Sequence, residues 1–140
     1  MNRGEVWFVE FPVEEIEGKT TNRPVVVLDE YLLEVLSVKI TKHKPRKDDP
    51  YDIPILYWEE AGLRLASTAR VSKTRMLIKD NFLYQLGKLC EYDLERIEKL
   101  YKKFLENGRW LKTASFLLMV WFMYSHIYIV ISVKREVQNE

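Results

Sequence analysis

The sequence predicts a mainly β fold: a small, strongly bent barrel of short strands with an amphipathic helix packed on its rim, followed by a hydrophobic tail. Five or six short runs rich in β-branched and aromatic residues occupy the part of the chain before residue 80. Between residues 91 and 106 the apolar residues instead recur every three or four positions, as they do along a helix. A long uncharged stretch then follows, beyond residue 108.

The composition limits the class of protein. A chain of 140 residues with 47% hydrophobic and 31% charged residues is the size of one domain and can bury a core, which excludes a disordered or fibrous protein. Its 22 basic and 21 acidic residues leave a net charge of +1, so any nucleic acid must bind a local patch. The only cysteine, Cys90, rules out an intrachain disulfide and fits a reducing cytoplasm. One cysteine and two distant histidines argue against a structural zinc site. We expect no metal or other cofactor.

The first three strands are predicted over residues 5–11, 24–28 and 32–41. The first is rich in aromatic and β-branched residues and stops at a proline. The second is a short run with three valines, long enough for a buried strand and too short for a helix. Polar residues interrupt the third, which is typical of a strand with one solvated face.

A loop, further strands and a helix follow. Residues 42–50 contain two prolines and several charged side chains, so they cannot continue the third strand. Residues 53–58, 66–71 and 76–78 are further strand candidates. Residues 91–106 form an amphipathic helix, and Asn107-Gly108 is a suitable helix stop. This stop divides the chain into a domain, residues 1–108, and a tail, residues 109–140.

The tail contains 21 consecutive residues, 113–133, without a charged side chain. As a helix they would extend about 31 Å, close to the thickness of a bilayer's hydrocarbon core. Three interpretations stay open: a membrane anchor, an element packed in an oligomer interface, or an extension without a selected function. The basic residues that flank the stretch leave a membrane orientation undecided, and the N-terminus lacks the apolar region of a signal peptide.

Three segments carry a family resemblance. They are Arg3-Gly4-Glu5-Val6-Trp7, then Gly18 followed by Asn22-Arg23-Pro24-Val25-Val26-Val27, and then Val38-Lys39-Ile40-Thr41. A weaker likeness runs from Ser67 to Leu77. In this order and spacing, the segments resemble the MazF/PemK toxins of bacterial and archaeal toxin–antitoxin pairs. The resemblance covers roughly residues 2–106 and none of the tail.

The resemblance implies an SH3-like barrel of five to seven short strands that forms a homodimer in the cytoplasm. Such toxins are metal-independent endoribonucleases that cleave single-stranded RNA and are inhibited by a cognate antitoxin. By the same resemblance, Arg23 and Thr41 are the catalytic pair. The alternative is a non-catalytic toxin on the same barrel, of the gyrase-poisoning kind, which acts by protein contact alone.

The chemistry of RNA cleavage agrees with this pair of residues. The 2′-hydroxyl must lose a proton, the 5′-oxygen must gain one, and charge on the phosphorus must be stabilised. A guanidinium such as that of Arg23 offers fixed donors that match phosphate oxygens, and the following Pro24 holds its backbone. The hydroxyl of Thr41 can donate to the same phosphate. Neither is an obvious general base, and the identity of the base stays open.

A basic patch surrounds the end of the third predicted strand. Its residues either grip RNA phosphates or form a solubilising loop that Asp48 and Asp49 partly neutralise. Arg75, on a later strand, could also contact phosphate or lie on a solvated face. His43 could act as a base, but a solvated loop histidine is the favoured interpretation. The candidate RNA-binding residues are Lys39, Lys42, His43, Lys44, Arg46, Lys47 and Arg70.

Overall fold

The computed structural model describes residues 1–111, which contain six strands and one long helix. The strands alternate with short connections, and a short 3₁₀ turn at Lys79–Asn81 precedes the last strand. Residues Met1–Phe104 form one compact unit, which contains every residue of the site described below. Strands β1 to β6 run Glu5–Pro12, Thr20–Glu30, Glu34–Thr41, Asp52–Pro54, Thr68–Ile78 and Phe82–Lys88, and helix α1 runs Glu91–Leu111.

The six strands form one antiparallel sheet in the order β4-β5-β3-β2-β1-β6. This confirms the predicted mainly β class with a C-terminal helix. Closure into an SH3-like barrel is not confirmed, because the edge strands β4 and β6 do not pair with each other in the part of the chain that the structure describes. One edge strand, β4, has only three residues and offers little backbone for pairing.

Several element boundaries differ from the prediction. The strand predicted over 53–58 ends at Pro54. The Ile55 N–H still donates to the Ser67 carbonyl at 2.9 Å, but the Asp93 carboxylate accepts the N–H groups of Leu56 at 3.1 Å and Tyr57 at 2.8 Å. The strands predicted over 66–71 and 76–78 are one strand, β5. Strand β6 was not predicted.

The predicted helix stop at Asn107-Gly108 is wrong. Helix α1 continues through both residues to Leu111. Gly108 is not among the glycines that adopt a positive φ, so it does not form the left-handed C-cap on which the prediction depended. The predicted tail, residues 109–140, begins inside this helix, and residues 113–133 lie outside the described residues. The three interpretations of the tail therefore stay predictions. Within residues 1–111, no helix is both long enough and apolar enough to cross a membrane.

The two faces of the sheet bury separate apolar clusters. The larger cluster includes Val26 and Val38 together with Leu94 and Ile97 of helix α1. The smaller one contains Val9, Phe11, Val25 and Leu77. Since successive residues of a strand point to opposite faces, Val25 and Val26 belong to different clusters. Arg23 of β2 and Lys39 of β3 lie on the face of Phe11, since the cationic groups of both approach its ring.

Two glycines let the segment between β4 and β5 lie against β6. A Cβ atom on Gly62 would be 2.1 Å from the carbonyl oxygen of Leu86, and one on Gly87 would be 2.4 Å from that of Ala61. Gly62 also has a φ of +82°, which L residues rarely adopt. The backbones of the segment and the strand therefore meet directly, and this contact holds one wall of the cleft described below.

We predict that Gly62→Ala lowers the free energy of unfolding by about 3 kcal/mol, the combined cost of a left-handed backbone and a steric clash. Gly18→Ala is the matched control: Gly18 also has a positive φ, of +78°, but its Cβ would meet no atom within 4 Å. The control should lose only about 1 kcal/mol. Urea denaturation of the two variants measures the difference, and equal losses would show that the contact with Leu86 adapts without cost.

Candidate active site

The ends of β2 and β3 that carry Arg23 and Thr41 lie beside one cleft. The pairing of the two strands ends with Val25 opposite Lys39, and Arg23 and Thr41 each lie two residues beyond this last pair. Both residues line a cleft of about 460 Å³ at the end of β3. Its polar lining includes Asn22, Arg23, Thr41, Lys42, His43 and Arg64, and its apolar lining includes Phe8, Pro24, Ile40, Leu63, Tyr84 and Leu86.

The Arg23 guanidinium is held in place but not neutralised. Its Nε and Nη2 atoms donate to the Thr21 hydroxyl oxygen at 3.3 and 3.1 Å. No carboxylate of residues 1–111 lies within 4 Å of it. Burial, and then the positive charge of Arg70, lower the pKa of Arg23 below its ordinary value. The guanidinium is therefore a fixed, partly buried cation whose proton is more easily lost than that of a solvated arginine.

The hydroxyl of Thr41 is available for a ligand. Thr41 is the last residue of β3 and is partly exposed. Its oxygen accepts a long hydrogen bond, 3.4 Å, from the backbone N–H of His43, and within residues 1–111 its own proton is not donated to any group. The hydroxyl can therefore donate to an anion that enters beside Arg23.

Three cations surround the ring of Phe11, and we call them the Phe11 cluster. The Arg23 and Arg75 guanidinium carbons lie 5.8 Å from the ring centroid, and the Lys39 ammonium lies 5.6 Å from it. None of the three has a carboxylate within 4 Å among residues 1–111. Burial, followed by the charges of Arg23 and Arg70, lowers the pKa of Lys39. The cluster is thus a concentration of positive charge, and a bound anion would reduce the repulsion among its three cations.

Arg70, in contrast, is buried and paired. Its Nε atom lies 3.3 Å from Asp52, which is itself buried, and its Nη2 atom lies 3.9 Å from Asp49. Asp52 also accepts the backbone N–H of Arg46 at 3.1 Å, and Asp49 accepts the Ser72 hydroxyl at 2.7 Å. The two carboxylates are therefore bonded to the sheet and to the basic loop. Residues 1–111 contain no group of three or more His, Cys, Asp or Glu able to hold a metal ion.

The other basic residues predicted to bind RNA divide into two groups. Lys42 and His43 line the cleft. Lys44, Arg46 and Lys47 are exposed on the loop that follows and do not line it. Among residues 1–111, no carboxylate lies within 4 Å of the cationic groups of this loop. The loop thus presents its positive charge to solvent at the mouth of the site.

Sequence reasoning missed an aromatic wall of the cleft. The rings of Phe8 and Tyr84 lie 5.2 Å apart, and Tyr84 is 53% exposed. Tyr84 belongs to β6, the strand that was not predicted, and only the pairing of β6 with β1 brings it beside Phe8. Arg64 was missed because nothing in its local sequence connects the segment before β5 with Arg23. Aromatic faces beside cations are typical of sites for single-stranded nucleic acids.

We predict that Asp52→Asn lowers the free energy of unfolding by about 3 kcal/mol, because the variant leaves the buried Arg70 charge largely unpaired. The control, Glu14→Gln, removes the exposed partner of Lys73 and should lose less than about 1 kcal/mol. Chemical denaturation measures both variants. A loss for Asp52→Asn no larger than that of the control would mean that Arg70 does not depend on its carboxylate.

The fold is similar to those of solved mycobacterial toxins. An endoribonuclease from a mycobacterial species matches with a TM-score of 0.57 and 15% identity, over 74% of this chain and 89% of that chain. An endoribonuclease in complex with its cognate antitoxin, also mycobacterial, matches with a TM-score of 0.54 and 17% identity, over 74% and 93% of the two chains. The Mycobacterium tuberculosis toxin MazF-mt6 matches with a TM-score of 0.57 and 17% identity, over 73% and 96%. At these identities the similarity establishes the fold.

The family follows from the sequence itself. No curated protein matches the chain with significance. A family model does match it, over residues 2–105, and is described as the PemK-like, MazF-like toxin of type II toxin–antitoxin systems. The match spans most of the chain and includes Arg23, Thr41 and the Phe11 cluster. The chain therefore belongs to the PemK-like, MazF-like toxin family of type II toxin–antitoxin systems.

Proposed function

We propose that this toxin is a sequence-selective endoribonuclease that cleaves single-stranded messenger RNA at a phosphate bound between Arg23 and Thr41. The observation that carries the proposal is the fixed Arg23 guanidinium, which lacks a carboxylate partner in residues 1–111 and lines the same cleft as Thr41, whose hydroxyl is available. Membership of the toxin family and the likeness to solved endoribonucleases support the same activity.

In the proposed reaction, the 2′-hydroxyl loses its proton to water, its oxygen attacks the adjacent phosphorus, and the bond from phosphorus to the 5′-oxygen breaks. The products are a 2′,3′-cyclic phosphate and a free 5′-hydroxyl. Arg23 and Thr41 donate to the phosphate oxygens, whose negative charge grows in the transition state. Because burial and the Arg70 charge lower the pKa of Arg23, its proton is also easier to transfer to the leaving 5′-oxygen. Arg23 thereby provides the charge stabilisation that a metal ion provides in other nucleases. After Arg23 gives a proton to the leaving 5′-oxygen, it regains one from water.

The remaining basic residues are proposed to hold the RNA backbone. Lys39 belongs to the Phe11 cluster, and Lys42 and His43 line the cleft beside Thr41. Lys44, Arg46 and Lys47 extend this positive surface along the exposed loop. In this proposal Arg70, which the sequence predicted to bind RNA, does not contact the RNA itself. Its buried guanidinium binds Asp52, and Asp52 accepts the backbone N–H of Arg46 in the basic loop.

A cognate antitoxin is the proposed inhibitor. One of the similar solved structures is an endoribonuclease in complex with its cognate antitoxin. The positive, open site suits an acidic peptide as well as RNA, so an antitoxin segment would compete with the substrate. We also propose a cytoplasmic location and a homodimer, for which sedimentation equilibrium of the purified chain would give the mass.

We predict that the full-length chain cleaves a long single-stranded RNA at a few defined sites and does so equally well with EDTA present. Arg23→Ala should lower kcat at least about a hundredfold, because it removes the main donor to the developing charge. Thr41→Ala should lower kcat about tenfold or more. Gel mapping of the fragments gives the sites, and single-turnover kinetics give the rates.

The control is Arg3→Ala, which removes a guanidinium paired with Glu91 and Glu98, away from the cleft. It should cleave like the parent chain. If the folded parent left several unrelated RNAs intact, the proposal would be wrong, and the non-catalytic alternative would replace it. Loss of cleavage in EDTA, restored by a divalent cation, would contradict metal independence alone.

A further inference from the structure

We infer that Lys39 and Arg75 form a second phosphate-binding site, which holds the phosphate next to the one bound by Arg23 and Thr41. The inference rests on the proposed function, because it adds a positioning contact to the same RNA. It gives a role to Arg75, the member of the Phe11 cluster whose place beside the site the sequence did not reveal.

The sheet aligns the two proposed phosphate sites along β3. Lys39 lies two residues before Thr41 on the same face, so their Cα atoms are about 7 Å apart along the strand. Lys39 pairs with Val25 of β2, and Arg23 lies two residues before Val25 on that strand. A single strand of RNA that lies along β3 would therefore pass from one pair of groups to the next.

Arg75 reaches this second position from the neighbouring strand β5. Its backbone pairs with Ser37, which lies two residues before Lys39 in β3. Its guanidinium carbon lies 5.8 Å from the Phe11 ring centroid. The Lys39 ammonium lies 5.6 Å from the same centroid. The two cationic groups thus both lie within 6 Å of the centre of one ring, and we propose that one phosphate bridges them.

Within residues 1–111, no carboxylate pairs directly with Lys39 or Arg75, and the nearby Glu14 is bound to Lys73. Lys73, on the same strand as Arg75, binds Glu14 at 2.8 Å, and the buried Arg70 binds Asp52. The hydrogen bond from Lys73, and then the charges of Lys73, Lys39 and Arg75, lower the pKa of Glu14, so this carboxylate is ionised but committed to Lys73. Lys39 and Arg75 keep their positive charges without a carboxylate within 4 Å in residues 1–111.

A phosphate is the ligand that these groups fit best. An arginine fork matches two phosphate oxygens, and a lysine ammonium adds a point charge from a second direction. Arg75 is exposed, so a ligand reaches it without movement of the core. Because the pair lies beside the proposed scissile site and not at it, its contact should be equal in the ground and transition states. Such a contact changes KM and leaves kcat unchanged.

The test uses the full-length chain and a fully 2′-O-methylated RNA of mixed sequence, about 12 nucleotides long, which binds without being cleaved. Fluorescence anisotropy at several salt concentrations gives the affinity and its salt dependence. We expect Arg75→Gln to raise Kd about tenfold and to reduce the slope of log K against log salt by about 0.7, the value of one phosphate contact on a single strand. The Kd of Arg75→Lys should lie between those of the parent chain and Arg75→Gln. In the cleavage assay, Arg75→Gln should raise KM and keep kcat.

The control is Lys79→Gln, which removes an equal charge just beyond β5 that is paired with Glu30. It should change Kd less than twofold.

Thermal unfolding confirms that both variants are folded, and the crosslink of a 5-iodouridine-substituted RNA to the unmodified chain provides a second measurement. Crosslinks in the β5 peptide that contains Arg75 would support the site. Unchanged affinity and salt slope in Arg75→Gln, or failure of the parent chain to bind the RNA, would overturn the inference. Since binding is measured without cleavage, it is separable from failure of the catalytic proposal.

Discussion

The pairing of β2 with β3 is the constraint on which the candidate site depends. The register that joins Val25 to Lys39 sets the position of the strand ends that carry Arg23 and Thr41, which line one cleft. A slip by one residue would exchange the two faces of β2 and bury the arginine against helix α1. The valines between Arg23 and the end of β2 oppose such a slip, because they fill both apolar clusters at once. Packing of the core and placement of the site are therefore the same physical requirement.

The cations on this face fall into two groups, one paired with carboxylates and one unpaired within residues 1–111. Arg70 is buried and balanced by Asp52 and Asp49, so its charge supports the structure and acts on its neighbours through the electric field. Arg23 and Lys39 feel that field, which is one reason their pKa values fall. A sheet that neutralised all of its cations internally would be more stable but could not attract an anion. This face combines one satisfied pair with a cluster that stays open to a ligand.

Much of the fold is legible in the sequence, and the departures have local causes. The apolar runs of β1, β2 and β3 and the three-to-four-residue period of α1 identify these elements because each buries one face. Strand β6 was missed because its exposed Leu83 and Tyr84 break the pattern of a buried run. The strand predicted beyond Pro54 was lost because a carboxylate of the helix, that of Asp93, bonds the N–H groups that a neighbouring strand would need. The helix passed Gly108 because a glycine permits a cap without requiring one.

The sequence by itself provided the candidates for the active site, since its resemblance to the toxin family implies Arg23 and Thr41 as the catalytic pair. It also determined that the loop after β3 is basic. Only the tertiary structure decided that Arg23 and Thr41 line one cleft, that Arg70 is buried against Asp52, and that Arg75 and Lys39 both approach the Phe11 ring. These facts depend on strand register and on pairs of residues far apart in the chain. Hydrophobic periodicity indicates which face a residue occupies, but it does not specify which residue of another strand lies beside it.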